Sequence, residues 1–244
     1  MRHMHVITLP RRLVSEALGS GLLLATVVGS GIMAENLAGG NVALALLANT
    51  VATGAGLVAL ILTFGPISGA HFNPAVTLAD AIHGGTAWRD VPPYIGAQLL
   101  GAFSGVAAAH VMFQKALFSA SAHVRSGPSQ LASEFIATFG LLAVIWGVSR
   151  KHAQFVPVAV GCYITAAYWF TASTSFANPA VTLARAASNT FAGIRPADAP
   201  GFIIAQLVGA LGATFLFRWL SPAENRSAVA HGPGRDLETE KEAA

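Results

Sequence analysis

One phrase occurs twice in this chain and limits what it can fold into more than any other feature. Asn73-Pro74-Ala75-Val76-Thr77-Leu78-Ala79 recurs 105 positions later as Asn178-Pro179-Ala180-Val181-Thr182-Leu183-Ala184. In each copy Asn stands where a helix N-cap belongs. Pro follows at the first helical position, with its φ already set and no N–H to lose, and apolar residues continue the turn. Each copy therefore starts a short helix, at Pro74 and at Pro179.

The surroundings of the two copies are apolar. Of 244 residues 54% are hydrophobic and only 10% charged, against about 25% charged in a soluble domain. Six stretches, 13–34, 42–64, 92–113, 131–149, 155–170 and 201–220, approach the roughly 20 helical residues that cross a bilayer. The sequence thus predicts an all-α membrane protein. Arg11-Arg12 ahead of the first apolar stretch has the form of a secretory signal, but an internal repeat argues against cleavage there. Leu13-Val14-Ser15-Glu16 matches Leu131-Ala132-Ser133-Glu134, and the segment from Asp90 through Gln98 to Ala102 matches that from Asp198 through Gln206 to Ala210. Removal of the first span would leave half of one repeat without its partner.

Each repeat reads as span, span, short Asn-Pro-Ala helix, span. An odd number of spans per half requires the halves to be inverted in the membrane, a plan that puts a transport site where they meet. The intervals 65–78 and 171–183 are too short, and too polar at their starts, to cross alone. They read as segments that dip in and turn back as half-helices, which is tolerated only where they line a cavity or are buried in protein. The expected organisation is an N-terminus over 1–12, a channel domain over 13–220 with repeat halves of about 13–113 and 131–220, and a polar tail over 221–244 that reads as disordered.

Basic residues flanking the spans set the orientation. Arg2, Arg11, Arg12, Arg89, Arg150, Lys151 and Arg218 fall on one side, against Lys115, Arg125, Arg185 and Arg195 on the other. Both termini are therefore expected to be cytoplasmic, with the protein spanning the plasma (inner) membrane several times. Scattered Arg without basic runs gives no support for nucleic-acid binding. Cys162 is the sole cysteine, which excludes an intrachain disulfide and a cysteine-based metal site, and its apolar context suggests a packing role. No cofactor or metal is expected, and no nucleophile and base constellation suggests an enzyme.

Two half-helices entering from opposite faces bring Asn73 and Asn178 together with the positive ends of two helix dipoles behind them. That place repels cations, while the Asn amides can donate to the oxygen of a passing solute. The bland alternative, two simple N-caps, does not explain a symmetric pair inside a membrane. Gly101 and Gly105 form a Gly-x-x-x-Gly step, read as close helix packing.

These features resemble the major intrinsic proteins, the aquaporins and glycerol facilitators, over essentially 13–220. The resemblance rests on the motif pair Asn73-Pro74-Ala75 and Asn178-Pro179-Ala180 and on the Ser68-Gly69-Ala70-His71 lead-in. It implies six tilted helices plus two re-entrant half-helices, one pore per subunit, a homotetramer in the lipid bilayer, and passive conduction of small neutral solutes and water. Glu16 and Glu134 match the family's buried carboxylates that hold the re-entrant loops. An intramembrane carboxylate can also relay protons, but duplication favours anchoring. His71 reads as a pore-lining or loop-packing residue, without partners at metal-ligand spacing.

The chain departs from the family pattern after the second motif. Most members carry Arg there; here the residue is Val181. By the same alignment the other filter positions fall at Thr53, Ala166 and Ser175, none charged or aromatic. The expected filter is wide, admitting glycerol-like polyols, arsenite or methylated arsenicals, and water. The sequence from Tyr168 to Val181 is similar to a bacterial, arsenic-resistance-associated branch of the family. A water-selective channel, a structural membrane protein and a proton-coupled carrier using Glu16 and Glu134 are the rival readings. Arg185, one turn beyond Val181, could lean back into the filter, but snorkelling to the headgroups is the favoured reading. Its counterpart at the opposite mouth is Asp80.

Overall fold

The computed structural model describes residues 7–220, and every regular element among them is helical. The first half holds α1 (Leu9–Leu37), α2 (Val42–Ser68), a ten-residue α3 (Pro74–His83) and α4 (Val91–Met112). The second repeats the order with α5 (Pro128–His152), α6 (Val156–Phe170), an eight-residue α7 (Pro179–Ala186) and α8 (Ala199–Leu220). The tail over 221–244 and the first six residues of the N-terminus lie outside the described residues.

Five stretches are long and apolar enough to cross a membrane, and one of them, Pro128–Phe170, is not a single rod. A 3-10 turn over Ala153–Phe155 breaks it. Beyond the break α6 folds back along α5, where the Tyr163 hydroxyl donates to the carbonyls of Ile136 and Ala137 at 3.3 and 3.2 Å. Six long helices and two half-length ones result, as the sequence predicts. One boundary differs. α2 runs on to Ser68, four residues past the expected end of the second span at residue 64, with Pro66 inside its last turn. Gly69 ends it, in the left-handed region at φ 91°, its N–H donating to the Gly65 carbonyl at 3.0 Å. A left-handed C-cap is where glycine is needed, and it marks the helix end better than the loss of apolar character does.

Small residues bring the long helices into backbone contact. A methyl group on Gly101 or Gly105 would overlap the Ala17 or Gly21 carbonyl of α1, and one on Gly209 would meet the Phe135 carbonyl of α5. The Gly-x-x-x-Gly step of α4 thus sets the α1/α4 crossing, and α8 meets α5 in the repeat-related way. Cys162 does not pack inside: it is exposed on the outer face of α6, because the helix turns Gly161 and Ile164 inward instead.

Candidate functional site

The short helices α3 and α7 begin at the two Asn residues, and their N-termini meet. Asn73 Oδ1 accepts from the Ala75 N–H at 2.9 Å, and Asn178 Oδ1 accepts from the N–H groups of Ala180 and Val181 at 2.9 and 3.2 Å. Each Asn is therefore an N-cap. Each also reaches across to the other half: Asn73 Nδ2 donates to the Ala177 carbonyl and Asn178 Nδ2 to the Phe72 carbonyl, both at 2.8 Å. One N–H of each amide is consumed by this reciprocal pair. The second remains for whatever occupies the adjoining space, since a primary amide carries two donors. Pro74, Ala75, Pro179 and Ala180 are buried and start the half-helices.

The chain leading into each Asn is held in an unfavourable conformation. Ala70 and Phe72 in the first loop, and Thr174, Ser175 and Ala177 in the second, have φ between 49° and 60°. That region costs a non-glycine residue about 1–3 kcal/mol and persists only where the surroundings over-determine it. The surroundings here are two buried carboxylates. Glu16 accepts from the Ser68 hydroxyl at 2.6 Å, the His71 and Phe72 N–H groups at 3.0 and 2.8 Å, and Gln98 Nε2 at 2.8 Å. Glu134 accepts from the Phe176 and Ala177 N–H groups, both at 2.9 Å, and from Gln206 Nε2 at 2.6 Å. Gln98 and Gln206 pass the connection on to the hydroxyls of Thr77 and Thr182, which donate to the Asn73 and Asn178 carbonyls. Sequence reasoning aligned Gln98 with Gln206 without seeing that they join carboxylate to half-helix.

A cavity of about 410 Å³ runs past both Asn residues. His71, Asp80, Thr53, Ser175, Val181 and Arg185 all border it, with Leu23, Val27, Leu57 and Val160 among its apolar walls. Asp80 accepts from the Thr86 hydroxyl at 2.6 Å and stands 3.8 Å from His71 Nε2. Thr53 and Tyr168 are joined, hydroxyl to hydroxyl, at 3.3 Å. Ala166 does not reach the cavity: it is exposed on the outer face of α6, and Ile164 and Tyr168 border the space instead. The alignment missed the phase of α6 by two residues, because a helix rotates by about 100° per residue and a small slip changes the face.

The second correction concerns Arg185. It does not extend to the surface: it is 2% exposed and borders the cavity. Its Nε donates to the Ala192 carbonyl in the loop after α7, and its guanidinium lies 3.3 Å from the centroid of the Phe176 ring. Cation–π stacking and one carbonyl outweigh the headgroups because the loop closes over α7 and removes the outward path. Arg125, from the loop between α4 and α5, also approaches Phe176, at 5.1 Å, and donates to the carbonyls of Gly193 and Ser173 at 2.8 and 3.1 Å. Burial pushes the Arg125 guanidinium down to about 10, so it remains a cation at neutral pH. Neither Phe176 nor Arg125 was marked by the sequence as a site residue. The only available signal was position, Phe176 two residues before the second Asn and matching His71 before the first.

Helices that leave their N-termini facing each other beside a continuous cavity define a membrane channel. The family model of the major intrinsic proteins matches residues 3–177 and again 148–239. An aquaglyceroporin, AqpS, of Rhizobium meliloti (strain 1021) is 58% identical over 217 residues, covering 89% of this chain and 93% of the relative. A probable NIP-type aquaporin of Nicotiana alata is 31% identical over 87% of this chain and 78% of its own. The X-ray structure of the aquaglyceroporin from Plasmodium falciparum has the same fold, with a TM-score of 0.65 at 21% identity over 92% of this chain and the whole of that one. This chain belongs to the major intrinsic protein family, whose members are channels rather than enzymes.

Proposed function

We propose that the protein is a passive, wide-filter channel for small uncharged polar solutes: glycerol-like polyols, arsenite or methylated arsenicals, and water. The observation that carries the width is Val181, which borders the cavity directly after the second Asn-Pro-Ala, where most of the family places Arg. Thr53 and Ser175 add small polar surface to the same cavity, while α6 contributes Ile164 and the Tyr168 ring, whose hydroxyl is tied to Thr53, in place of Ala166. The arsenical part of the reading rests on the likeness of the stretch from Tyr168 to Val181 to the arsenic-associated branch. Water selectivity is the less favoured alternative, because a Val cannot supply the bulk and donors of an Arg.

The saturation of Glu16 and Glu134 by three or more donors each supports anchoring over proton coupling. In this reading residues 13–220 form the channel domain, a homotetramer sits in the plasma membrane, and both termini are cytoplasmic. Charge supports the orientation: Arg11, Arg12, Arg89, Arg150, Lys151 and Arg218 mark one end, against Lys115, Arg125, Arg185 and Arg195 at the other. Stopped-flow swelling of proteoliposomes in glycerol without any ion gradient tests the proposal. Rapid glycerol entry is expected; entry that requires a proton gradient would identify a carrier instead.

A further inference from the structure

The guanidinium of Arg185 is a buried charge that makes no ion pair within 4 Å among the described residues. It is 2% exposed, its Nε is used by the Ala192 carbonyl, and its Nη groups have no hydrogen bond or ion pair among the described residues. The ring of Phe176 covers one face of the guanidinium plane, which leaves the edge as the direction for further partners. A second cation, Arg125, stands on the same ring, and the one carboxylate beside them, Glu134, is bound to the Phe176 N–H, so two cations face a single anion there. Ser175 borders the same cavity with a buried hydroxyl that also lacks a partner, and its loop backbone is fixed in the left-handed region at φ 51°. Val181, one turn nearer the Asn pair, borders the same cavity.

An unpaired buried cation is costly unless water or a ligand completes it. A planar fork with free N–H groups fits a carboxylate or another oxyacid group, often through two parallel bonds. The repeat-related inner mouth cannot offer this, since its equivalent residue is Asp80, already occupied by Thr86 and close to His71. We propose that the outer mouth is an oxyanion site in which the Arg185 guanidinium edge and the Ser175 hydroxyl bind a small monoanionic oxyacid. Such acids then compete with neutral polyols for the outer end of the pore. The proposal rests on the reading of the cavity as a solute channel and adds a class of competing ligand to it.

The test uses glycolate, an acid of polyol size, against its neutral isostere glycolamide. In wild-type proteoliposomes glycolate should inhibit glycerol entry competitively, and glycolamide should do so at least about tenfold less effectively, the gap expected for a charge-assisted pair. Arg185→Gln should abolish the difference between the two compounds, and Ser175→Ala should weaken glycolate inhibition by a smaller factor. Equal inhibition by both compounds, or an Arg185→Gln channel that still prefers glycolate, would overturn the proposal. Saturation-transfer NMR of glycolate on detergent-solubilised protein reads binding separately. Binding without glycerol flux in the wild type would sink the channel reading and leave the site, while flux without binding would do the reverse. Should Arg185→Gln not assemble, an unchanged glycolate preference in Ser175→Ala refutes the two-residue site.

Discussion

The two re-entrant loops are alike where they meet and unlike where they open. At the meeting point Asn73 and Asn178, Glu16 and Glu134, and Gln98 and Gln206 make matching hydrogen bonds. Two residues before each Asn the likeness ends. His71 lies against Tyr94, with ring centroids 5.6 Å apart, and near Asp80, whereas the repeat-related Phe176 lies against Phe202 at 5.3 Å and beneath Arg185. One fold position thus holds a polar pair at one mouth and a cation–aromatic stack at the other. Symmetry has been kept where backbone groups must be satisfied away from water and lost where side chains face the cavity. Backbone N–H groups are the same in every loop, so their partners have little freedom to change.

The symmetric part should respond symmetrically to mutation. Glu16→Ala and Glu134→Ala each orphan several buried donors and release a loop held at positive φ, so each should cost on the order of 3–5 kcal/mol. Thermal melting with flux measured on the same preparation reads this; a normal melt with lost, pH-dependent flux in either variant would assign that carboxylate to proton movement. Asn73→Asp and Asn178→Asp put a carboxylate between two positive helix ends and lower the barrier to cations there. Cation current in planar bilayers should rise in both variants, and a rise in only one would place the barrier in a single loop.

Gln98→Leu and Gln206→Leu probe the next shell. Each removes the bonds to Glu and Thr but also removes a buried Oε1 that has no partner, so the net loss should be smaller, about 1–2 kcal/mol, and equal in the two halves. Unequal losses would show that the halves are not mechanically equivalent.

The smallest effect belongs to the rims. Asp198, the repeat counterpart of Asp90, is paired with Arg195 at 2.7 Å, and this hydrogen bond holds its carboxyl below the usual carboxylate range. A lowered folded value contributes stability above the unfolded value and loses it as pH falls through the folded one. Asp198→Asn should therefore lower the melting temperature only slightly at neutral pH, with the difference from wild type vanishing under strongly acid conditions. Asp90 makes longer contacts, shared between Arg12 at 3.4 Å and Arg89 at 3.7 Å.

How much of this was legible in the chain follows the same division. Asn73 and Asn178 announced the half-helices, since a cap followed by Pro is a local signal that packing does not override. Glu16 and Glu134 stood out because a carboxylate recurs inside an apolar span of each half, and that duplication favoured the anchoring of each half's own loop over a proton relay. Ala166 and Arg185 were misplaced for non-local reasons. The phase of α6 depends on how it folds back after Ala153–Phe155, and the direction of Arg185 depends on the Ala192 carbonyl and the Phe176 ring. Helical spacing alone makes the inward and outward paths of a long side chain equivalent. Arg125 lay beyond such reasoning, because its partners Ser173 and Gly193 come from two other loops.

The central claim is that Val181 leaves the proposed pore open beyond the second Asn-Pro-Ala, and Val181→Arg tests it most directly. Arg adds several heavy atoms and a set of donors that water can use but larger solutes cannot pass. For neutral solutes steric overlap should dominate over charge, which acts on their dipoles only weakly. Stopped-flow light scattering on matched wild-type and variant vesicles should show losses growing from glycerol to arsenite to methylated arsenicals, with water reduced least. Equal losses for water and the largest solute would contradict the account, because Val181 would then not set the width of the pore.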